Sequence, residues 1–158
     1  MSGTFIIKKK IKSFKKKITI EGDKSISIRW VLFSSLASGT SKAKNLLMSE
    51  DVLAAIQAIK NLGIKVIFKN GICNIYGKGI NGYTYKRNLT LNAQNSGTLG
   101  RLILGFLTNS SYQIKLIGDK SLSQRDFKRI SDPLSLFGAK FNLKNKKNLP
   151  LKIIGKSD

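Results

Sequence analysis

Histidine is absent from this sequence, and aspartate and glutamate together number only eight. Without imidazole, any proton transfer near neutral pH must use a carboxylate, a tyrosine, a lysine of shifted pKa or water, and carboxylates are scarce. Cysteine is nearly absent too. A lone thiol, Cys73, cannot form an internal disulfide, and between Ile72 and Asn74 in a strand-like stretch it reads as a small core residue rather than a nucleophile. Redox chemistry is not expected. No run approaches the roughly 18 consecutive apolar residues of a membrane span, and the lysine-studded start has no apolar core ending in a small-residue cleavage site. These absences point to a soluble, cytoplasmic protein with no membrane partner. No zinc-ligand spacing occurs either, so neither a metal nor a cofactor is expected.

What is present suffices for a real core: 158 residues, 41% of them hydrophobic and 8% aromatic. The formal net charge is +21, which taken alone favours nucleic acid or another polyanion as partner. Yet the lysines are spread along the whole chain and no RNA-binding aromatic signature accompanies them. Excess Lys with abundant Asn and Ile is also what a biased genome produces. No specific nucleic-acid partner is therefore expected, and a non-catalytic anion- or nucleic-acid-binding module stands as the alternative to an enzyme.

Along the chain, residues 4–20 alternate apolar residues and lysine (Ile7, Ile11, Phe14, Ile18, Ile20), which predicts one or two short strands. From Ser25 to Ala37 the apolar residues recur at helical spacing, stopping at Ser38-Gly39. A second helix is predicted from Ser49 as N-cap, with Glu50 and Asp51 in the first turn and Val52, Leu53, Ile56 and Ile59 as its stripe, ending at Gly63. Strand-like runs follow at residues 64–68 and 72–76 about a Lys69-Asn70-Gly71 turn. The second half repeats this plan: a polar turn at residues 94–97, a helix at 98–107, a strand at 113–117, a helix at 131–137 ending at Gly138, and strands at 139–143 and 151–154. Arg29 corresponds to Arg101, Gly63 to Gly138 and Gly77 to Gly155, at offsets of 72, 75 and 78 residues. Two copies of helix, strand, helix and hairpin predict an α/β fold with helices packed on one side of mixed sheets.

Three segments combine a tight glycine turn, hydroxyl side chains and a cation. Gly22-Asp23-Lys24-Ser25 places Lys24 and Ser25 at a helix start, where free N–H groups and the dipole favour an anion. Arg29 follows Ser25 by four residues, on the same face. Asn95-Ser96-Gly97-Thr98, with Arg101 after it, has the same design, its glycine allowing close backbone approach. Gly118-Asp119-Lys120-Ser121-Leu122-Ser123-Gln124-Arg125 is a turn with an arginine after its hydroxyls. Of 29 basic residues only five are arginine, yet Arg29, Arg101 and Arg125 all fall in these segments. In a chain that otherwise uses lysine, that placement suggests a need for the planar fork that grips phosphate or carboxylate at two points. The plainer reading is that glycine turns with helix caps are ordinary and that Arg101 pairs with Asp119 or Asp132.

Residues 17–29 read Lys-Ile-Thr-Ile-Glu-Gly-Asp-Lys-Ser-Ile-Ser-Ile-Arg, which resembles the N-terminal signature of the 5-enolpyruvylshikimate-3-phosphate (EPSP) synthases. Residues 45–63, Asn95-Ser96-Gly97-Thr98 with Arg101-Leu102-Ile103-Leu104-Gly105, and Gly118 to Arg125 with Asp132-Pro133-Leu134 are similar to that family's next blocks, in order. Departures occur at Glu21 and Asp126, where the family has proline, at Gln94, where it has glycine, and at Ile28, where it has a polar residue.

The resemblance implies two lobes of three βαβαββ units each. In this chain residues 1–20 would be a leading strand region belonging to the other lobe, residues 21–88 a first unit and residues 89–158 a second. The implied activity is transfer of the enolpyruvyl group of phosphoenolpyruvate to the 5-hydroxyl of shikimate 3-phosphate, with release of phosphate. Lys24, Ser25 and Arg29 would hold shikimate 3-phosphate. Lys24, the implied catalytic residue, would also touch phosphoenolpyruvate together with Asn95, Gly97 and Arg125, while Ser96, Thr98 and Arg101 would support the site. The family's aspartate and glutamate for acid/base work come from its later sequence. The implied state is thus a fragment, inactive alone, whose C-terminal portion would be supplied separately.

Overall fold

The structure is a computed structural model that describes residues 15–156 together with residues 4, 6, 8–10, 12 and 13. Asp23 turns an extended segment into the first helix: its carboxylate accepts the Ile26 N–H at 2.7 Å, satisfying a donor that the helix start leaves free. Helix α1 (Lys24–Leu36) buries Ile28, Val31 and Leu32 completely. Strand β1 (Ser38–Lys44) follows at once, then α2 (Glu50–Asn61), which buries Val52, Ile56 and Ile59 of the expected stripe together with Ala55, whereas Leu53, expected in that stripe, faces outward and is 46% exposed. Gly63 closes α2 at φ +84°, a left-handed conformation suited to glycine. Strands β2 (Lys65–Lys69) and β3 (Ile72–Lys78) form a hairpin about Asn70 and Gly71, both at positive φ.

In the second half, β4 (Thr90–Asn92) leads into α3 (Gly97–Phe106). After it come β5 (Ile114–Ile117), the short α4 (Lys120–Ser123), α5 (Lys128–Ser135), β6 (Lys140–Lys144) and β7 (Asn148–Ile154). The two sheets share a plan. One has the order β1-β3-β2, antiparallel throughout; the other has β5-β7-β6 in the same sense, with β4 added parallel to β5. Gly77 in β3 lies against the backbone carbonyls of Ser34 and Ala37 at the end of α1. Gly155, just past β7, lies against Thr108 and Ser110 beyond the end of α3. A side chain at either glycine would strike backbone, so the matching glycines seat each hairpin on the first helix of its half. Phe33 and Phe106, the tenth residues of α1 and α3, meet edge to face with centroids 5.3 Å apart. A single core runs through both halves, from Ile28, Ile59 and Ile75 to Ile103, Leu116 and Ile153. Burying one such side chain stabilises by about 1.5–3 kcal/mol.

The α/β expectation holds, with local corrections. Residues 15–20 carry no strand, and Ile18 and Ile20 stand 70% and 73% exposed, without the partner that a strand needs; Ile7, Ile11 and Phe14 lie outside the described residues. Strands β1 and β4 and helix α4 were not anticipated, and α5 begins three residues earlier than its apolar pattern suggests. Ser49 stands at the N-cap of α2, but its hydroxyl makes no cap hydrogen bond. Cys73 is fully buried as expected, and burial pushes its thiol pKa up, away from nucleophilic use.

Candidate functional site

The first cluster is built on the start of α1. Gly22 is needed there because a side chain would run into the backbone of Asn45 and Leu47. That contact is fixed by Asn45 Nδ2 donating to the Ile20 carbonyl at 3.2 Å and by Leu47 N–H donating to Ser27 Oγ at 3.2 Å. The chain is thereby held as it enters the helix. Lys24, the first helical residue, places Nζ 3.0 Å from Asp51 Oδ2; the lysine side chain is 54% exposed and the aspartate 18%. Asp51 sits in the first turn of α2, so the ion pair ties the starts of two helices together. Ser25 is half-buried beside it. Arg29, further along α1, is exposed and forms no ion pair among the described residues.

The second cluster is built on the start of α3. Ser96 is 1% exposed and caps the helix, its Oγ accepting the Leu99 N–H at 3.2 Å. Thr98 is half-buried within the first turn. Asn95 donates from Nδ2 to Asp119 Oδ2 at 2.6 Å, while Asp119 Oδ1 accepts the Leu122 N–H at 2.7 Å and so begins α4. The Asp119 N–H in turn donates to the Gln94 carbonyl at 2.8 Å. The carboxyl of Asp119 is held below its ordinary pKa, first by the Leu122 N–H, then by Asn95, with Arg125 and the Ser121 N–H adding to the effect against slight desolvation.

Arg125 follows α4, its carbonyl and that of Gln124 anchored by Asn148 Nδ2 at 3.1 and 3.0 Å. A Cβ placed on Gly97 would stand 2.9 Å from Nη1 of Arg125 and 3.4 Å from Nη1 of Arg101. Glycine is therefore what lets both guanidinium groups reach the helix start. Arg101 does not pair with Asp119 or Asp132; the latter is 3.5 Å from Lys128 instead.

The structure thus brings Asn95, Gly97, Arg101 and Arg125 to one place and keeps Ser96 and Thr98 beneath them. Lys24, Ser25 and Arg29 form a separate group, and no hydrogen bond or ion pair joins the two among the described residues. Two residues that sequence reasoning passed over are Asp51 and Asp119. Each is a carboxylate at the start of the following helix that holds a polar side chain at the start of the preceding one. Asp51 was visible as an acidic residue in the first turn of a helix, read as dipole compensation, and Asp119, the N-cap of α4, was visible in a glycine turn but weighed only as a partner for Arg101.

Of the departures from the family pattern, Asp126 turns its carboxylate to the Lys128 N–H at 2.7 Å, opening α5. Ile28 is fully buried and extends the core. Glu21 lines a hollow with Gly22 and residues 45–49. Gln94 adopts φ +51°, the left-handed region where glycine is at ease. A hollow of about 530 Å³ among Tyr83, Tyr85, Phe106 and Lys156 contains none of the cluster residues. No helix among the described residues is long and apolar enough to cross a membrane.

Comparison with known proteins accords with this geometry. The family described as EPSP synthase (3-phosphoshikimate 1-carboxyvinyltransferase) matches residues 8–157. A 3-phosphoshikimate 1-carboxyvinyltransferase of Sulfurihydrogenibium sp. (strain YO3AOP1) is 40% identical over 148 residues, covering 93% of this chain and 34% of the relative. One from Streptococcus agalactiae serotype Ia is 42% identical over 139 residues, covering 87% and 32%. The solved EPSP synthase from Acinetobacter baumannii superposes with a TM-score of 0.82 at 38% identity, over 90% of this chain and 33% of that one. The chain spans about a third of the length of the relatives it matches. Agreement that runs through both halves, in residues and backbone alike, makes this chain a member of the EPSP synthase family.

Proposed function

We propose that this chain supplies one wall of the active site of a shikimate-pathway transferase, which moves the enolpyruvyl group of phosphoenolpyruvate to the 5-hydroxyl of shikimate 3-phosphate and releases phosphate. The observation that carries this reading is the gathering of Asn95 and Arg125 around a glycine at the start of α3. Backbone N–H groups, a guanidinium fork and a polarised amide there form a receptor for an anionic group of phosphoenolpyruvate. Lys24, Ser25 and Arg29 at the start of α1 are the proposed contacts for shikimate 3-phosphate. Lys24 would also face phosphoenolpyruvate, where its ammonium stabilises the negative charge of the tetrahedral intermediate.

In this reading the groups that move protons, an aspartate and a glutamate, come from sequence beyond this chain and close over the bound anions. Residues 21–88 and 89–158 are proposed as two successive βαβαββ units of one lobe, an assignment supported by the shared order of the last three strands of each half and the matched glycines Gly77 and Gly155; a counterpart of β4 before α1 is not formed among the described residues. Residues 1–20 are proposed to serve the opposite lobe, in keeping with the exposure of Ile18 and Ile20. A cytoplasmic setting goes with the unpaired, buried Cys73.

The test is phosphate release from phosphoenolpyruvate in the presence of shikimate 3-phosphate. The chain alone should show no turnover, because one wall leaves the ligands in high dielectric where each cation is worth little. Mixing it with a separately produced remainder of a related synthase should restore activity. In that mixture Lys24→Ala or Arg29→Ala should weaken shikimate 3-phosphate binding by about 1.5–3 kcal/mol. Turnover by the chain alone, or unchanged affinity in both variants, would sink the assignment.

A further inference from the structure

The two halves differ at a point where their backbones match. Leu62 and Phe137 are equivalent: each precedes a positive-φ glycine, Gly63 or Gly138, and each donates its N–H to the carbonyl three residues earlier, that of Ile59 or Leu134. Yet Leu62 is fully buried, while Phe137 stands 73% exposed with Leu136 beside it at 87%. The chain after each hairpin accounts for the difference. Beyond β3, residues 79–85 run back over their own half: the Thr84 N–H donates to the Leu62 carbonyl at 2.9 Å, Thr84 lies against Gly63, and the Tyr83 hydroxyl meets Ser35 Oγ near the end of α1 at 2.7 Å. Lys78 Nζ adds a hydrogen bond to the Thr84 hydroxyl at 3.1 Å. In the second half the Phe137 carbonyl accepts no such N–H among the described residues. Lys156, the counterpart of Lys78, lays its stem against Gly138, the place that Thr84 takes on Gly63. At the end of α3, where the pattern of Tyr83 on α1 calls for a side chain, the hollow of about 530 Å³ opens beside Phe106, Asn109 and Lys156.

We infer that Leu136, Phe137 and this hollow form a docking surface for an extended segment of the same kind as residues 79–85, supplied by the sequence that follows the counterpart of Lys156 in the longer relatives. An apolar or aromatic side chain of that segment enters the hollow. The next residue lies over Gly138 and donates its N–H to the Phe137 carbonyl, and Lys156 turns from Gly138 to meet it, as Lys78 meets Thr84. The inference rests on the reading of the halves as successive units and deepens it: each unit is closed by the stretch that leads to the next. Docking takes Phe137 out of water and supplies the missing donor. Without it, the end of α5 and strand β6 open more readily than they do once covered.

The test is amide hydrogen exchange read by NMR on the full chain, as it stands and extended by the roughly ten residues that follow the counterpart of Lys156 in the Sulfurihydrogenibium relative. The extension should slow exchange in the last turn of α5 and in β6 about tenfold or more, leave α2 and β2 unchanged, and shift the Phe137 ring signals. The same residues in scrambled order should do none of this. Unaltered exchange with unmoved Phe137 signals would overturn the inference. So would Phe137 signals that move with the concentration of the unextended chain, together with a dimer in sedimentation that Phe137→Ser abolishes, because a second copy would then be what covers the patch. The readout is independent of catalysis. Protection gained by the extension, with no turnover in the mixture of chain and remainder, would fell the proposed function and leave the docking surface; turnover without protection would do the reverse.

Discussion

Asp119 shows how one side chain can organise a site it does not itself form. Its two oxygens hold Asn95, a residue 24 positions earlier, and the N–H that opens α4, and its charge acts on Arg125. Because its pKa is lowered in the fold, its contribution to stability is complete above the ordinary carboxylate pKa of about 4 and is lost as pH falls through the depressed value. An NMR titration of the Asp119 carboxyl should show a midpoint below that of a free aspartate, and Asp119→Asn should flatten the acid limb of the stability curve. A midpoint at or above the free value would contradict the geometry. Sequence could place Arg101 and Arg125 under suspicion because arginine is rare in this chain. It could not place Asp119, since nothing in Gly118-Asp119-Lys120-Ser121 says which distant amide the carboxylate will meet.

Helices were legible at the level of the element and strands less so. The stripes of α1, α2 and α3 repeat every three or four residues, and their ends agree with expectation to within about two residues. Strand β1, by contrast, reads Ser-Gly-Thr-Ser-Lys-Ala-Lys and is mostly exposed; it is a strand because β3 pairs with it along seven residues, and no apolar alternation announces that. Strand β4 is only three residues long and is defined by its partner β5. The turn between β4 and α3 carries a testable strain. Gln94 holds φ +51°, and a non-glycine residue in that region costs roughly 1–2 kcal/mol, part of which glycine gives back as unfolded-state entropy. Gln94→Gly should thus stabilise the chain by about 0.5–1 kcal/mol, measurable as a rise in Tm. A fall in Tm would mean that the glutamine side chain contributes something the backbone geometry does not show.

For the whole molecule, the +21 charge and the local site make different demands. Counterion release from a dispersed array of lysines gives binding to any polyanion, with affinity that falls steeply with salt and no preferred sequence. Measured against duplex DNA of varied sequence, the chain should lose affinity uniformly between 50 and 200 mM salt, by about a thousandfold or more if six or more phosphates are contacted. Recovery of a defined motif bound tightly at physiological salt would favour the nucleic-acid-binding alternative over the enzyme. The sheet that begins with β1 has a further consequence for how such a chain behaves in solution. Among the described residues β1 is paired on one side only, so its other side offers a row of backbone donors and acceptors that a strand from another molecule could zip onto. Lys42 and Lys44 alternate along it, and an antiparallel second copy would bring its own lysines close to these. Addition of one molecule to the next then meets rising like-charge repulsion, so an edge that would otherwise seed fibrils discourages the growth of chains of itself.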